Sequence, residues 1–311
     1  RASEAGAPQE FLVNTDYQVD HQYYPSIAAL KNGGFVVSWR DEDGSNRGGG
    51  SSDDVFGQRY DASGMELGDE FRVNQYTSSN QRYPSMAGLK NGGFVVAWED
   101  TSGRDGGSGY DIWARVFDAE GAEAFPEFRV NKTHFSGSQY FPVVAALDNG
   151  KFVVVWRNDQ GSSHNDGTGA GNGYDVWARV LNADGTEAVA EFRVNKTHVS
   201  GSQYEPSVSA LDGGGFVVAW RNDNGNSHND GTGAGSGYDV WARAFNADGT
   251  QVTPEFRVNS YTGGSQYQPS VAGLDGGGFV VVWRDDDGNA GSRGGSSRDI
   301  FGQRYGANGA A

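Results

Sequence analysis

Gly33-Gly34-Phe35-Val36-Val37-Ser38-Trp39 is the stretch on which the reading of this chain turns. It recurs at Gly92–Trp98, Gly214–Trp220 and Gly277–Trp283, with a variant, Asn149-Gly150-Lys151-Phe152-Val153-Val154-Val155-Trp156, in third place. Each copy is a Gly turn, an unbroken apolar run and a Trp. A strand with one wet face alternates, whereas one that is apolar throughout is buried on both faces. Five such strands, each needing cover on two sides, call for small sheets stacked radially.

The surrounding sequence repeats with them. Glu-Phe-x-Val-Asn begins at Glu10, Glu70, Glu127, Glu191 and Glu255, at spacings of 60, 57, 64 and 64 residues. Each unit opens with a polar loop ending in Gln-x-x-Pro, as in Gln22-Tyr23-Tyr24-Pro25. A short strand of small apolar residues follows, then a tight turn such as Lys31-Asn32-Gly33-Gly34, which makes a hairpin with the Phe-Val-Val-x-Trp strand. A Gly/Asp/Asn/Ser loop leads to a third strand beginning at Asp54, Asp111, Asp175, Asp239 or Asp299, and the Glu-Phe-x-Val-Asn strand is the fourth. Four-stranded units in tandem predict an all-β, five-bladed β-propeller rather than a β-sandwich or β-solenoid. The predicted blades run approximately 15–74, 75–131, 132–195, 196–259 and 260–305, in one domain over 1–311. Residues 10–14 supply the last blade's fourth strand and close the ring. The two long loops of each unit then share one face, and loops on a rigid scaffold carry function.

Composition narrows the classes. The chain has 311 residues, a formal net charge of -16 and no Cys. That charge argues against nucleic acid and anionic membrane surfaces and is compatible with cations. The lack of Cys removes disulfides and thiolate chemistry. No apolar run reaches the roughly 18 residues of a membrane span. The balance fits a secreted, extracellular protein.

Carboxylates crowd the loop after each Trp: Asp41 and Asp43, Asp159, Asp223, Asp285 and Asp287. Together with Asp175 and Asp239 they are candidate ligands for calcium, which takes carboxylate and carbonyl oxygens. Asp, Asn and Gly also build turns without metal. Gly106-Gly107-Ser108-Gly109-Tyr110-Asp111 resembles a calcium-binding β-roll nonapeptide. It occurs once per unit, so it reads as a Gly-rich turn entering a strand. His164 and His228 occupy matched places in two nearly identical loops, as copying alone would also produce. Gln139 and Gln203, each followed by Tyr140 or Tyr204, and Tyr174 and Tyr238 before the third strand offer flat rings and amides suited to sugars. They are equally suited to holding blades together. With His164, Asn165, His228 and Asn229 they form the candidate ligand set.

No nucleophile elbow, P-loop or dinucleotide fingerprint occurs. A site repeated in every unit is unlike an active site, so no catalytic residue is assigned. The unit Gln-x-x-Pro-Ser-Val-Ala-x-Leu…Gly-Gly-Phe-Val-Val-x-Trp…Asp-x-x-Gly-Gln-Arg-Tyr-Asp-Ala-x-Gly resembles repeats of large secreted bacterial calcium-binding, haemolysin-type or adhesin-like proteins. The equivalent blades are also similar to those of lectin propellers. The resulting expectation is a secreted, non-enzymatic carbohydrate-binding module that uses calcium and an extracellular or cell-surface polysaccharide partner. A polysaccharide-degrading hydrolase or lyase with one site over the central channel is the alternative, and a structural adhesin spacer the third reading.

Overall fold

The computed structural model describes residues 10–16, 21–42, 52–107, 109–133, 137–159, 173–197, 201–223, 237–262, 264–286 and 298–311. The first blade holds β1 (Gln22–Ala29), β2 (Phe35–Asp41), β3 (Asp54–Tyr60) and β4 (Phe71–Arg72). The second holds β5 (Gln81–Gly88), β6 (Phe94–Asp100), β7 (Asp111–Phe117) and β8 (Glu123–Arg129). The third holds β9 (Ser138–Ala146), β10 (Lys151–Asp159), β11 (Tyr174–Asn182) and β12 (Glu187–Arg193). The fourth holds β13 (Ser202–Ala210), β14 (Phe216–Asp223), β15 (Tyr238–Phe245) and β16 (Phe256–Arg257). The fifth holds β17 (Ser265–Gly273), β18 (Phe279–Asp286) and β19 (Asp299–Tyr305). All pairings between successive strands of a blade are antiparallel.

The core lies between blades, as the doubly apolar strands require. Val95, Ala97 and Ile112 of the second blade pack with Val154, Trp156 and Trp177 of the third. Val153, Val155 and Val176 of the third pack with Val218 and Trp220 of the fourth. Similar clusters join the first blade to the second and the fourth to the fifth. Trp98, Trp156 and Trp220 are fully buried. The first strands neighbour one another in succession, β1 to β5 to β9 to β13 to β17, and form the inner wall. Ser Oγ atoms tie this wall: Ser26 accepts the Met86 N–H, Ser85 that of Val144 and Ser207 that of Val271.

Two expectations change. The Gln-x-x-Pro run belongs to the first strand rather than to a loop, because each inner strand starts at or just before its Gln and carries a register break at this run. The fifth sheet has three strands among the described residues, so the structure does not show the ring closed. Ile27 is 66% exposed where its counterparts Met86, Val144, Val208 and Val271 are 6–9% exposed. On the other side Ile300 is 74% exposed, whereas Val55, Ile112, Val176 and Val240 are at 0%.

Candidate functional site

The face that carries the long loops is held by one repeated latch. In the second blade, the Asn131 amide donates to Asp111 Oδ1 (2.7 Å) and to Gln139 Oε1 of the next blade (2.8 Å). Its carbonyl accepts the Ile112 N–H (2.8 Å). Asn195 repeats this with Asp175 (2.7 Å), Gln203 (2.8 Å) and the Val176 N–H (2.9 Å). Asn259 repeats it with Asp239, Gln266 and Val240, and Asn74 with Asp54, Gln81 and Val55. Buried polar groups must be paired, and here one Asn satisfies a carboxylate, an amide and a backbone donor across a blade boundary. Burial pushes the Asp54 carboxyl up to about 6, against the lowering effect of Asn74, and raises Asp111 as well. Gln139, Gln203, Asp175 and Asp239 are thus members of the inter-blade latch. Nothing but position in the Glu-Phe-x-Val-Asn strand marked the Asn that completes it.

Above the latch, guanidinium groups lie among aromatic rings. The Arg157 guanidinium lies 4.6 Å from the Tyr140 ring centroid and 4.3 Å from that of Tyr174. Arg221 lies 4.5 Å from Tyr204 and 4.6 Å from Tyr238. Tyr140, Tyr174 and Tyr204 also meet edge to face. Burial raises the Tyr174 and Tyr238 hydroxyls. The four tyrosines of the candidate set are therefore brought together, and half-buried. His164, Asn165, His228, Asn229, Asp43 and Asp287 lie outside the described residues. Asp41 and Asp285 are buried, and Asp159 and Asp223 end β10 and β14. Among the described residues no group of three or more His, Asp or Glu stands close enough to hold a metal ion.

The blades differ at the inner rim. The residue before the Pro of each Gln-x-x-Pro has a positive φ: Tyr24 (55°), Tyr83 (51°), Phe141 (52°), Glu205 (52°) and Gln268 (52°). Non-Gly residues seldom hold this conformation, and such positions concentrate at functional sites. The Tyr24 and Tyr83 centroids are 4.4 Å apart and those of Tyr83 and Phe141 4.7 Å, giving an aromatic wall on three adjacent blades. Glu205 takes the place of a ring in the fourth blade. Its carboxylate accepts from Arg221 (3.2 Å) and from the Gln268 N–H (2.8 Å).

Beside the wall lies Glu99, where the other blades carry Arg40, Arg157, Arg221 and Arg284. It is 1% exposed and accepts the Phe141 N–H (2.6 Å). Burial pushes its carboxyl up to about 7, against the opposing pull of that N–H and of Arg157 and Arg82. The only break in the Tyr that follows each Gln, Arg82, lies opposite Glu99 in the sheet and pairs with Asp53 (2.8 Å). The sequence displayed both substitutions; what it lacked was the knowledge that they stand side by side.

No protein-family model matches the chain, and no curated protein matches it in sequence. Solved structures do. An α-L-arabinanase of Penicillium chrysogenum complexed with arabinobiose is 14% identical, with 89% of this chain and 81% of that one covered at a TM-score of 0.51. A GH93 α-L-arabinofuranosidase of Fusarium graminearum with arabinobiose is 12% identical, with 90% and 80% covered at a TM-score of 0.52. The fold shared with these propeller glycosidases is all-β, of repeated four-stranded sheets. The comparison corrects the expectation of a non-enzymatic, lectin-like module: these neighbours are enzymes acting on glycosidic bonds. An asymmetric rim inside a repeated frame removes the objection on which that expectation rested.

Proposed function

We propose that this chain is a polysaccharide-degrading glycosidase whose site lies at the inner rim of the long-loop face. One observation carries the reading: Glu99, a buried carboxyl poised at about 7, stands where four other blades place Arg and beside an aromatic wall. Glycosidases characteristically use two carboxyl groups, one raised in pKa to donate a proton and one ionised. Glu99 gives its proton to the glycosidic oxygen as the bond to the anomeric carbon breaks. Glu205, ion-paired with Arg221, faces the developing positive charge on the sugar. Water supplies the hydroxyl of the new reducing end, and its remaining proton restores Glu99. Tyr24, Tyr83 and Phe141 offer flat faces to sugar rings. The likeness to arabinan-directed enzymes makes arabinan the first polymer to try, and a polymer substrate goes with an exported protein.

The same proposal includes ring closure. Asn14 donates to Gln22 (3.1 Å), as Asn131 does to Gln139. The Tyr60 hydroxyl donates to the Val13 carbonyl (3.1 Å), as that of Tyr305 does to Val258 (3.0 Å). The segment 10–14 therefore sits against the first blade as a preceding blade's outer strand would. Pairing with β19 makes that strand the fourth of the fifth sheet and covers Ile27 and Ile300.

Release of reducing ends from arabinan and a panel of other polysaccharides tests the function. Wild type should cleave at least one, and Glu99→Gln and Glu205→Gln should each lose at least about 100-fold. No release from any polymer, or full activity in both variants, overturns it.

A further inference from the structure

The chain carries a net charge of -16, yet its inner rim repeats an arginine in four blades of five. Two of these have carboxylate partners. Arg40 pairs with Asp53 at 2.9 Å, and Arg221 with Glu205 at 3.2 Å. The other two, Arg157 and Arg284, have no carboxylate within ion-pairing distance among the described residues. Arg157 is enclosed by rings: Tyr140, Tyr174, Phe141 at 4.9 Å and Tyr204 at 5.5 Å. Arg284 lies 4.6 Å from the Tyr267 centroid and donates to Gln268 Oε1 at 3.3 Å. The Nε atoms of all four rim arginines, Arg40, Arg157, Arg221 and Arg284, are buried without a hydrogen-bond partner, so the carboxylate pairing alone separates the two groups.

Stacking alone would explain a guanidinium between tyrosines, since cation–π contacts stabilise blade packing. It does not explain why, among the described residues, two of the four have no carboxylate partner on a protein so rich in carboxylates. Glu99 feels the charge of Arg157, but burial raises its carboxyl to about 7, so near neutrality it carries only part of a negative charge. A guanidinium enclosed by aromatic rings is held in place by them, and the ligand that matches its fork of donors is a planar carboxylate. We propose that the polysaccharide cleaved at this rim is an acidic one, and that carboxylates of its uronic acid residues seat on Arg157 and Arg284. The inference rests on the glycosidase reading for the word cleaved, but recognition of the acidic sugar stands apart from turnover.

Binding is the direct test. A galacturonic acid oligomer and its carboxyl-reduced, neutral counterpart of equal length are titrated by calorimetry into the wild-type full chain. The acidic oligomer should bind at least tenfold more tightly, with the advantage shrinking between 50 and 300 mM salt. Arg157→Gln and Arg284→Gln should each lose several-fold, and Arg157→Lys, which keeps the charge without the fork, should fall between. Equal affinity of the wild type for both oligomers overturns the inference without recourse to any variant. Cleavage of neutral arabinan with no preference for an acidic polymer also overturns it and leaves the glycosidase reading standing. Tight, Arg-dependent binding of the acidic oligomer supports it even if no bond is broken, an outcome that removes the glycosidase reading alone.

Discussion

The second and third blades are built on one frame and differ at the rim. Both have the Asn latch, through Asn131 and Asn195, and both pair Trp with Trp between their second and third strands. In the third blade the positions above that frame are Tyr140 and Arg157, the guanidinium lying over the ring at 4.6 Å from its centroid. In the second they are Arg82 and Glu99, the first turned to Asp53 and the second buried against Phe141. Where the two blades agree, the residues hold blades together. Where they disagree, a titratable group appears. Repetition thus identifies the scaffold, and its failure locates the chemistry.

The sharpest way to break this contrast is to make the second blade like the third. Arg82→Tyr with Glu99→Arg should leave circular dichroism unchanged and lower polysaccharide hydrolysis by more than about 1000-fold, roughly 4 kcal/mol in the barrier. Hydrolysis at the wild-type rate would mean the rim is not the site. The frame should respond in the opposite way. Asn131→Ala leaves Asp111, Gln139 and the Ile112 N–H without their shared partner, at a cost of about 3–5 kcal/mol. Urea unfolding measures this, and a change below 1 kcal/mol would deny the latch its role.

Glu99 links stability to pH. Its folded carboxyl titrates at about 7, above its ordinary 4.5, so the folded state holds this proton more tightly than the unfolded chain does. The associated stability is fully present below pH 4.5 and is lost as pH rises through 7, on the order of 3 kcal/mol. Glu99→Gln should therefore decline less than wild type over this window, the remaining slope belonging to buried carboxyls such as Asp54 and Asp111, and denaturation at pH 4.5, 6 and 8 compares them. Wild-type activity should fall on its alkaline side, above pH 7, as Glu99 loses the proton it donates. The smallest effect concerns closure. In a closed ring Ile27 is buried as Val144 is, and Ile27→Ser costs about 2 kcal/mol. In an open one it stays at 66% exposure and the change is near zero, again read by urea unfolding.

The frame was legible because its signals are local. Phe-Val-Val-x-Trp announces a strand covered on both faces, and four-strand units in tandem announce repeated antiparallel sheets packed against one another. The latch was half legible: Gln139 and Gln203 recur in register, but nothing local says that an Asn on the outer strand reaches them. The rim was illegible in its geometry. A residue before Pro is biased toward extended backbone, and Tyr, Phe, Glu and Gln do not announce a positive φ. Glu99 was visible as an exception in a column of Arg. Its meaning depends on burial beside Phe141, which only the folded chain supplies.

The five positive-φ residues have a further consequence, for how such a molecule diversifies. Tyr24, Tyr83, Phe141, Glu205 and Gln268 adopt φ values within a few degrees of one another although their side chains range from aromatic through acidic to amide. The backbone at these points is set by the fold, so the side chain is a free variable on a fixed mount. Gene duplication copies the mount and point mutation changes what it bears, one blade at a time, leaving every latch in place. A substrate pocket made this way can be recomposed from five independent letters, and a library that varies only these positions would sample new specificities without sampling new folds.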